Sequence, residues 1–392
     1  MSVADLQALE ERYAMPTYPR APVEFVRGEG ARLWDTGGKE YIDLFSGLSV
    51  HNAGHCHPRI VAAIREQVGL LAGTSNLFYS EPALRLTERL VESALGGRAF
   101  LCNSGAEANE CAIKLVRRHA HERGIENPEI VVLDHAFHGR TLAALAATPR
   151  LAREDLFGPL PPGFVVVPRD DPAALRAAVG ERTAAVMLEP IQGEAGVHPI
   201  EDEVLIAARE ACDDAGALLV FDEIQTGMGR TGTLWAYERA PVKPDLITAA
   251  KALGGGLPVG ACITGLGVGE GLTLGEHGST FGGGPICARA AIEALALLSD
   301  PELLVAVGER EGELRAALAD HPAIVAVRGR GLMVGIGLAD GLDSRAVVAA
   351  ALADGLVVNA PDPSTIRLLP PLTIGADELA QGLGRLRAAL GA

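Results

Sequence analysis

The sequence predicts an α/β protein: a large domain with a mostly parallel mixed sheet flanked by helices, followed by a smaller α+β domain. Three observations carry this expectation. Strand-length apolar runs alternate with helix-length amphipathic stretches through the first 290 or so residues, the pattern of a largely parallel sheet. Those runs are continuous rather than alternating, as in strands covered on both faces. Beyond residue 290 the pattern changes to helices and glycine-punctuated strands.

In chain order, the predicted strands of the large domain are 99–103, 129–134, 164–168, 184–189, 217–222, 246–250 and 261–264. Each is a short run rich in Ala, Val, Ile, Leu or Phe, bounded by polar or glycine residues. The predicted helices between them are 59–71, 82–95, 105–121, 171–179 and 202–215. In the second domain, helices are expected at 285–298 and 301–319, then the strand pattern 323–338, a short helix, the strand 365–369 and a terminal helix at 376–390. The expected division is an N-terminal segment, 1–45, packing with the small domain, a large domain at 46–290 and a small domain at 291–392.

Composition narrows the function classes. A chain of 392 residues that is 48% hydrophobic can bury a large core. A formal net charge of −16 argues against a nucleic-acid binder, since nothing on so acidic a chain would drive counterion release from a phosphate backbone. No apolar run approaches the roughly 18–20 residues of a membrane span, and the first residues lack the basic-then-apolar order of a signal peptide. Six scattered cysteines without a Cys-x-x-Cys pair read as reduced thiols of a cytoplasmic protein. His51, His55, Cys56 and His57 match no usual zinc spacing, so no metal is expected. Gly28-Glu29-Gly30 lacks the third glycine and the βαβ context of a dinucleotide site.

The chemistry-bearing residues fall at strand ends, where ligands bind in open α/β sheets. Lys251 follows the apolar run Leu246-Ile247-Thr248-Ala249-Ala250 and precedes a glycine tract. Asp222 ends the run Ala217-Leu218-Leu219-Val220-Phe221. A lysine amine and a buried carboxylate are the two groups that pyridoxal phosphate requires: one bonds its aldehyde, the other keeps its ring nitrogen protonated. A desolvated lysine also has a lowered pKa and suits proton transfer. Gln225, three residues beyond the acid, is placed to reach a ring oxygen.

Ser104 opens the helix after strand 99–103, and with Glu107 it fits a capping box. By itself this reads equally as a well-capped helix or as an anion site, because a Ser-Gly turn at a helix start offers free N–H groups and a positive dipole end. Gly278-Ser279-Thr280-Phe281 is either a further donor loop or a plain flexible one. Phe137, after strand 129–134, is either a core ring or a ring that stacks on a planar cofactor.

Six motifs in order give the chain a specific resemblance. They are Asn-Ser-Gly-Ala-Glu-Ala-Asn (103–109), Phe-His-Gly-Arg-Thr (137–141), Glu-Pro-Ile-Gln-Gly-Glu-Ala-Gly-Val (189–197), Phe-Asp-Glu-Ile-Gln-Thr-Gly (221–227), Ala-Lys-Ala-Leu-Gly-Gly-Gly (250–256) and His-Gly-Ser-Thr-Phe-Gly-Gly (277–283). The segments 54–58, 74–79 and 365–372 fit the same pattern, which runs from about residue 20 to the end. The chain resembles the class III aminotransferases, fold-type I PLP enzymes, and within them the branch acting on N2-acetylornithine.

The resemblance implies pyridoxal 5′-phosphate as cofactor, with Lys251 as its anchor and proton carrier and Asp222 on its ring nitrogen. It implies Gln225 at the ring oxygen, Phe137 and His138 against the ring, and Ser104, Gly105 and Ala106 at the phosphate. Thr280 would reach the phosphate from a neighbouring subunit, which implies a homodimer with shared active sites. Arg140, Arg367 and Ser279 would bind substrate, Glu194 would neutralise the carboxylate-binding arginine when substrates alternate, and Glu189 would support these groups.

The implied reaction moves the ω-amine of N2-acetyl-L-ornithine to 2-oxoglutarate, a step of arginine biosynthesis. Ornithine, succinyl-diaminopimelate, carrier-bound lysine and 4-aminobutyrate are the alternative amines, and a non-catalytic protein of the same fold is the alternative class. Three positions depart from the family's usual residues: Ala252, Gly284 and Ala106. The glycine at 284 is expected to loosen the loop holding Thr280.

Overall fold

The computed structural model describes residues 1–268 and 270–391. Its centre is a seven-stranded sheet in the spatial order Gly96–Cys102, Gly260–Gly265, Leu246–Ala249, Leu218–Asp222, Thr183–Leu188, Glu129–Leu133, Phe164–Val167. Gly260–Gly265 runs antiparallel to both of its neighbours, and the pairings from Leu246–Ala249 to Phe164–Val167 are all parallel. All seven are strands expected from sequence, with ends displaced by up to three residues. The largest displacement is at Gly96, whose φ of +80° starts its strand early.

The sheet is covered on both faces. The helix Gly105–Glu122 lays Ala108, Cys111, Ala112, Leu115 and Val116 against one side. The helices Asp202–Ala215 and Pro285–Leu298 contribute Val204, Ala208, Cys212, Ala291 and Leu295 to the main core cluster. This is why the central strands read as unbroken apolar runs: every residue of Thr183–Leu188, Leu218–Asp222 and Leu246–Ala249 is buried.

The C-terminal part is a four-stranded antiparallel sheet in the order Ile324–Arg330, Met333–Leu338, Thr365–Leu368, Asn359–Asp362. It is accompanied by the helices Pro301–Leu318, Ser344–Ala353 and Ala376–Leu390. The single strand pattern read at 323–338 divides into a hairpin because Gly331, at φ +59°, turns the chain. Near the N-terminus, Phe25–Glu29, Arg32–Asp35 and Glu40–Asp43 form a sheet whose last strand pairs with Leu356–Val357. None of the described helices is long and apolar enough to cross a membrane.

The parallel strands all deliver their following residues to one edge of the sheet. Asp222 is the last residue of its strand, Glu189 follows Leu188, and Lys251 stands two residues past Ala249. The antiparallel-paired strand ending at Cys102 delivers Asn103 and Ser104 to the same place.

Candidate active site

These residues enclose a cavity of about 520 Å³. Its walls include Ser104, Gly105, Ala106, Phe137, His138, Arg140, Glu189, Glu194, Asp222, Gln225 and Lys251. Eleven of the fourteen residues expected to bind, react or support these groups thus come together although they span 148 positions of sequence, from 104 to 251. Arg367 arrives from the C-terminal sheet and touches two of them, Glu194 and Gln225.

Asp222 is held by three donors. Its Oδ2 accepts from His138 Nδ1 at 2.8 Å and Asn109 Nδ2 at 2.8 Å, and its Oδ1 from the Ile224 N–H at 3.1 Å. Asn109 also donates to the His138 carbonyl at 2.6 Å, so one amide fixes both partners. Burial opposes a charge on His138, but the bond to Asp222 and the nearby carboxylates outweigh it and leave the imidazole pKa raised.

Lys251 has no side-chain hydrogen bond among the described residues, and it sits at φ +45°, an unusual backbone conformation for a residue with a Cβ. Its pKa is lowered, first by burial, with Arg367 adding to the effect and Glu194, Asp222 and Glu189 opposing it. An amine with a lowered pKa and no side-chain hydrogen bond, lining a cavity, suits nucleophilic and proton-transfer chemistry.

Glu189 accepts from the Phe137 N–H at 2.8 Å, and so holds the backbone that carries that ring. Burial pushes its pKa up to about 7, against the pull of His138. Glu194 meets Arg367 Nη1 at 2.7 Å; burial would raise its pKa, but Arg367 and Lys251 hold it below the ordinary value. Arg140 lies with its guanidinium carbon 5.5 Å from the Phe137 ring centre, at the exposed rim.

The helix Gly105–Glu122 starts at the cavity with 18 residues of aligned dipole behind it. A Cβ at Gly105 would lie 2.7 Å from Ile224 Cδ1, so a larger residue there would have to displace that side chain. Only half of the expected capping box forms. Ser104 Oγ accepts from the Glu107 N–H at 3.2 Å, but the Glu107 carboxylate receives Asn103 N and Nδ2, at 2.8 and 2.9 Å, rather than Ser104 N. The Asn103 side chain offers a second donor and so captures the carboxylate.

Ser279 and Thr280 do not enter the Lys251 cavity of their own chain. They line a separate recess of about 350 Å³ with Asn103, Glu107, Glu110, His277 and Phe281. Ser279 Oγ accepts from Asn103 Nδ2 at 3.0 Å and from the Gly282 N–H at 3.1 Å. Asn76 ties down the same loop through the carbonyls of Ser279 and Gly282, at 2.8 and 3.1 Å. The loop is therefore fastened at several points, and Gly284, at φ −50°, takes a backbone any residue allows.

Three asparagines at the site escaped sequence reasoning as functional positions. Asn109 had a legible signal, a polar residue on the buried face of its helix. Asn103 lay inside a quoted motif without a role of its own. Asn359 had none: it becomes a partner of Arg367 only through strand pairing.

The donor set fits a phosphorylated pyridine aldehyde. A helix N-terminus faces one end, a buried carboxylate the ring, and a free amine the aldehyde.

The family model for aminotransferase class-III matches residues 13–390. An acetylornithine aminotransferase of Xylella fastidiosa (strain 9a5c) is 48% identical over 391 residues, covering 97% of this chain and 95% of that one. The crystal structure of N-acetylornithine aminotransferase from Stenotrophomonas maltophilia K279a superposes with a TM-score of 0.84 at 42% identity, covering 97% of both chains. An ornithine aminotransferase structure from Toxoplasma gondii, with partial occupancy of PLP at its active site, gives a TM-score of 0.94 at 34% identity over 99% of this chain and 94% of that one.

Proposed function

The chain belongs to the class III aminotransferases, and from that premise we propose that it transfers the ω-amine of N2-acetyl-L-ornithine to 2-oxoglutarate, giving N-acetylglutamate semialdehyde and glutamate in arginine biosynthesis. It is an aminotransferase, and its cofactor is pyridoxal 5′-phosphate. The observation that carries the substrate reading is the Arg367–Glu194 pair at 2.7 Å near Lys251, in which Arg367 is buried and Glu194 half-buried. A site serving one substrate with a carboxylate next to its reacting amine and another without one needs a cation that can be exposed and covered in turn.

When bound, the cofactor supplies an aldehyde that takes up the substrate amine and a protonated ring that draws electrons from the adjacent carbon. The chain's own residues do the rest. Ser104, Gly105 and Ala106 bind the phosphate at the helix N-terminus. Asp222, oriented by Asn109 and His138, keeps the ring nitrogen protonated. Phe137, backed by Glu189, would cover the ring, and Gln225 would serve its oxygen. Lys251 Nζ would hold the cofactor between turnovers, and as a neutral amine it would take up and return the proton of the substrate carbon. Glu194 covers Arg367 while the acetylornithine chain is bound and leaves it for the carboxylate of glutamate or 2-oxoglutarate, while Arg140 at the rim takes the distal carboxylate.

The working form in this reading is a cytoplasmic homodimer in which Ser279 and Thr280 serve the partner's site. Their position in a recess of their own supports this, as do six free thiols.

The test is the visible spectrum of the purified enzyme on adding N-acetylornithine, ornithine, lysine or 4-aminobutyrate in parallel. The yellow cofactor absorbance is expected to bleach with acetylornithine and return with 2-oxoglutarate. Bleaching by a different amine alone would replace the substrate, and no absorbance even with added cofactor would remove the catalytic reading.

A further inference from the structure

We propose that Asn359 is a specificity-determining positioning residue: its amide oxygen holds one edge of Arg367 and leaves the other edge free for exchange between Glu194 and the substrate carboxylate. This rests on the reading of Arg367 as the carboxylate site.

Asn359 opens an edge strand, Asn359–Asp362, and lies directly across from Arg367 in the antiparallel pair. Residues directly opposite one another project to the same face. Arg367 is 1% exposed, so each of its N–H groups must find a partner in the protein or the substrate. Nε and Nη2 both donate to Asn359 Oδ1, at 3.1 and 2.7 Å. Nη1 donates to Glu194 Oε1 at 2.7 Å, with Gln225 Oε1 at 3.4 Å. The amide must present its oxygen here, because a guanidinium has no acceptor to offer the NH2 group.

The use of a neutral acceptor is the point. One oxygen satisfies two donors and fixes the guanidinium plane without cancelling its charge. The positive charge is then available to one carboxylate at a time, Glu194 or the substrate's. An aspartate at 359 would have the same shape and would neutralise Arg367 permanently. Glu194 would then have no cation to guard, and an incoming carboxylate would meet a fixed negative charge.

Only one of the two half-reactions places a carboxylate on Arg367, so a change at 359 separates them. The experiment compares Asn359→Asp and Asn359→Ser with the unaltered holoenzyme. It measures single-turnover spectra with glutamate and with N-acetylornithine, and calorimetric binding of glutarate, a dicarboxylate without an amine. Asn359→Asp is expected to weaken glutarate and raise the glutamate KM about 100-fold, while the acetylornithine half-reaction changes less than about threefold. Asn359→Ser, which loses orientation without adding charge, is expected to raise the glutamate KM about tenfold with kcat largely kept, and it serves as the test if the aspartate variant misfolds. Equal losses in both half-reactions would reduce Asn359 to a structural residue, and no loss in either would also overturn the proposal. Arg367→Met is the control for the underlying reading. If it binds glutarate as well as the unaltered enzyme, Arg367 is not the carboxylate site and the role of Asn359 falls with it.

Discussion

At the scale of single residues, the site works by setting charge states that water would not. Burial holds the Lys251 pKa below its ordinary value, although three carboxylates oppose the shift. In the proposed mechanism, replacing Lys251 with alanine removes both the anchor and the proton carrier, and turnover is expected to fall about 10⁴-fold or more in a steady-state assay. In the same mechanism, Asp222→Asn removes the anion that holds both the ring proton and the His138 proton. A loss of about 10²–10⁴-fold in kcat is expected, together with a drop of the His138 pKa in its ring NMR titration.

Glu189 gives a pH signature in stability. Its pKa in the folded chain is about 7 against an ordinary 4.5, so between those values the folded state keeps a proton that the unfolded chain has released. Its contribution is therefore full below pH 4.5 and is lost as pH rises to 7. Glu189→Gln is expected to flatten that decline by about 1–3 kcal/mol, measured as denaturant midpoints of the cofactor-free protein from pH 4.5 to 8.

At the scale of elements, the least ordinary piece of backbone is the turn Ser46–Ser49, with φ values of +44°, +61°, +67° and +68° in succession. Left-handed backbone costs roughly 1–2 kcal/mol for each residue with a Cβ, so three such residues persist only where neighbours dictate them. Arg230 does so. It is fully buried and donates to Ser49 Oγ at 2.9 Å, Ser46 Oγ at 3.4 Å, the Leu332 carbonyl at 2.9 Å, the Pro370 carbonyl at 2.7 Å, and Asn52 Oδ1. Burial lowers its pKa to about 9, with Asp43 partly restoring it. The turn leads into Val50 on the cavity wall, and Pro370 lies three residues past Arg367, so this one side chain links both sides of the site. Arg230→Met would leave several buried oxygens short of a donor, and a loss of about 3–5 kcal/mol is expected from chemical denaturation.

At the scale of the whole molecule, the isolated chain leaves several large apolar side chains exposed near one another. Leu77, Phe78 and Tyr79 are 88%, 71% and 95% exposed, and Phe281 is 78% exposed on the neighbouring loop that Asn76 fastens. An apolar patch of this kind beside the Ser279–Thr280 recess is the surface an interface would use, and the proposed homodimer would cover it. Burying a large side chain is worth about 1.5–3 kcal/mol. The double variant Phe78→Asp, Tyr79→Asp is therefore expected to raise the dimer dissociation constant by about 10²–10⁴-fold in sedimentation, and to weaken cofactor retention with it. A protein that sediments as a monomer without these changes would remove the shared-site reading.

The sequence by itself determined the seven central strands, because strands buried on both faces must be continuous apolar runs and the helices between them must be amphipathic. It also determined Lys251, Asp222 and the Ser104 helix start, since strand ends and helix N-termini lie at one edge of such a sheet. Tertiary structure alone decided what depends on long-range pairing. Asn359 meets Arg367 through strand register, and Arg230 joins segments from residue 46 to residue 370. Polar residues whose partners are far away in sequence leave no local pattern, because their hydrogen bonds exist only once the core has brought them together.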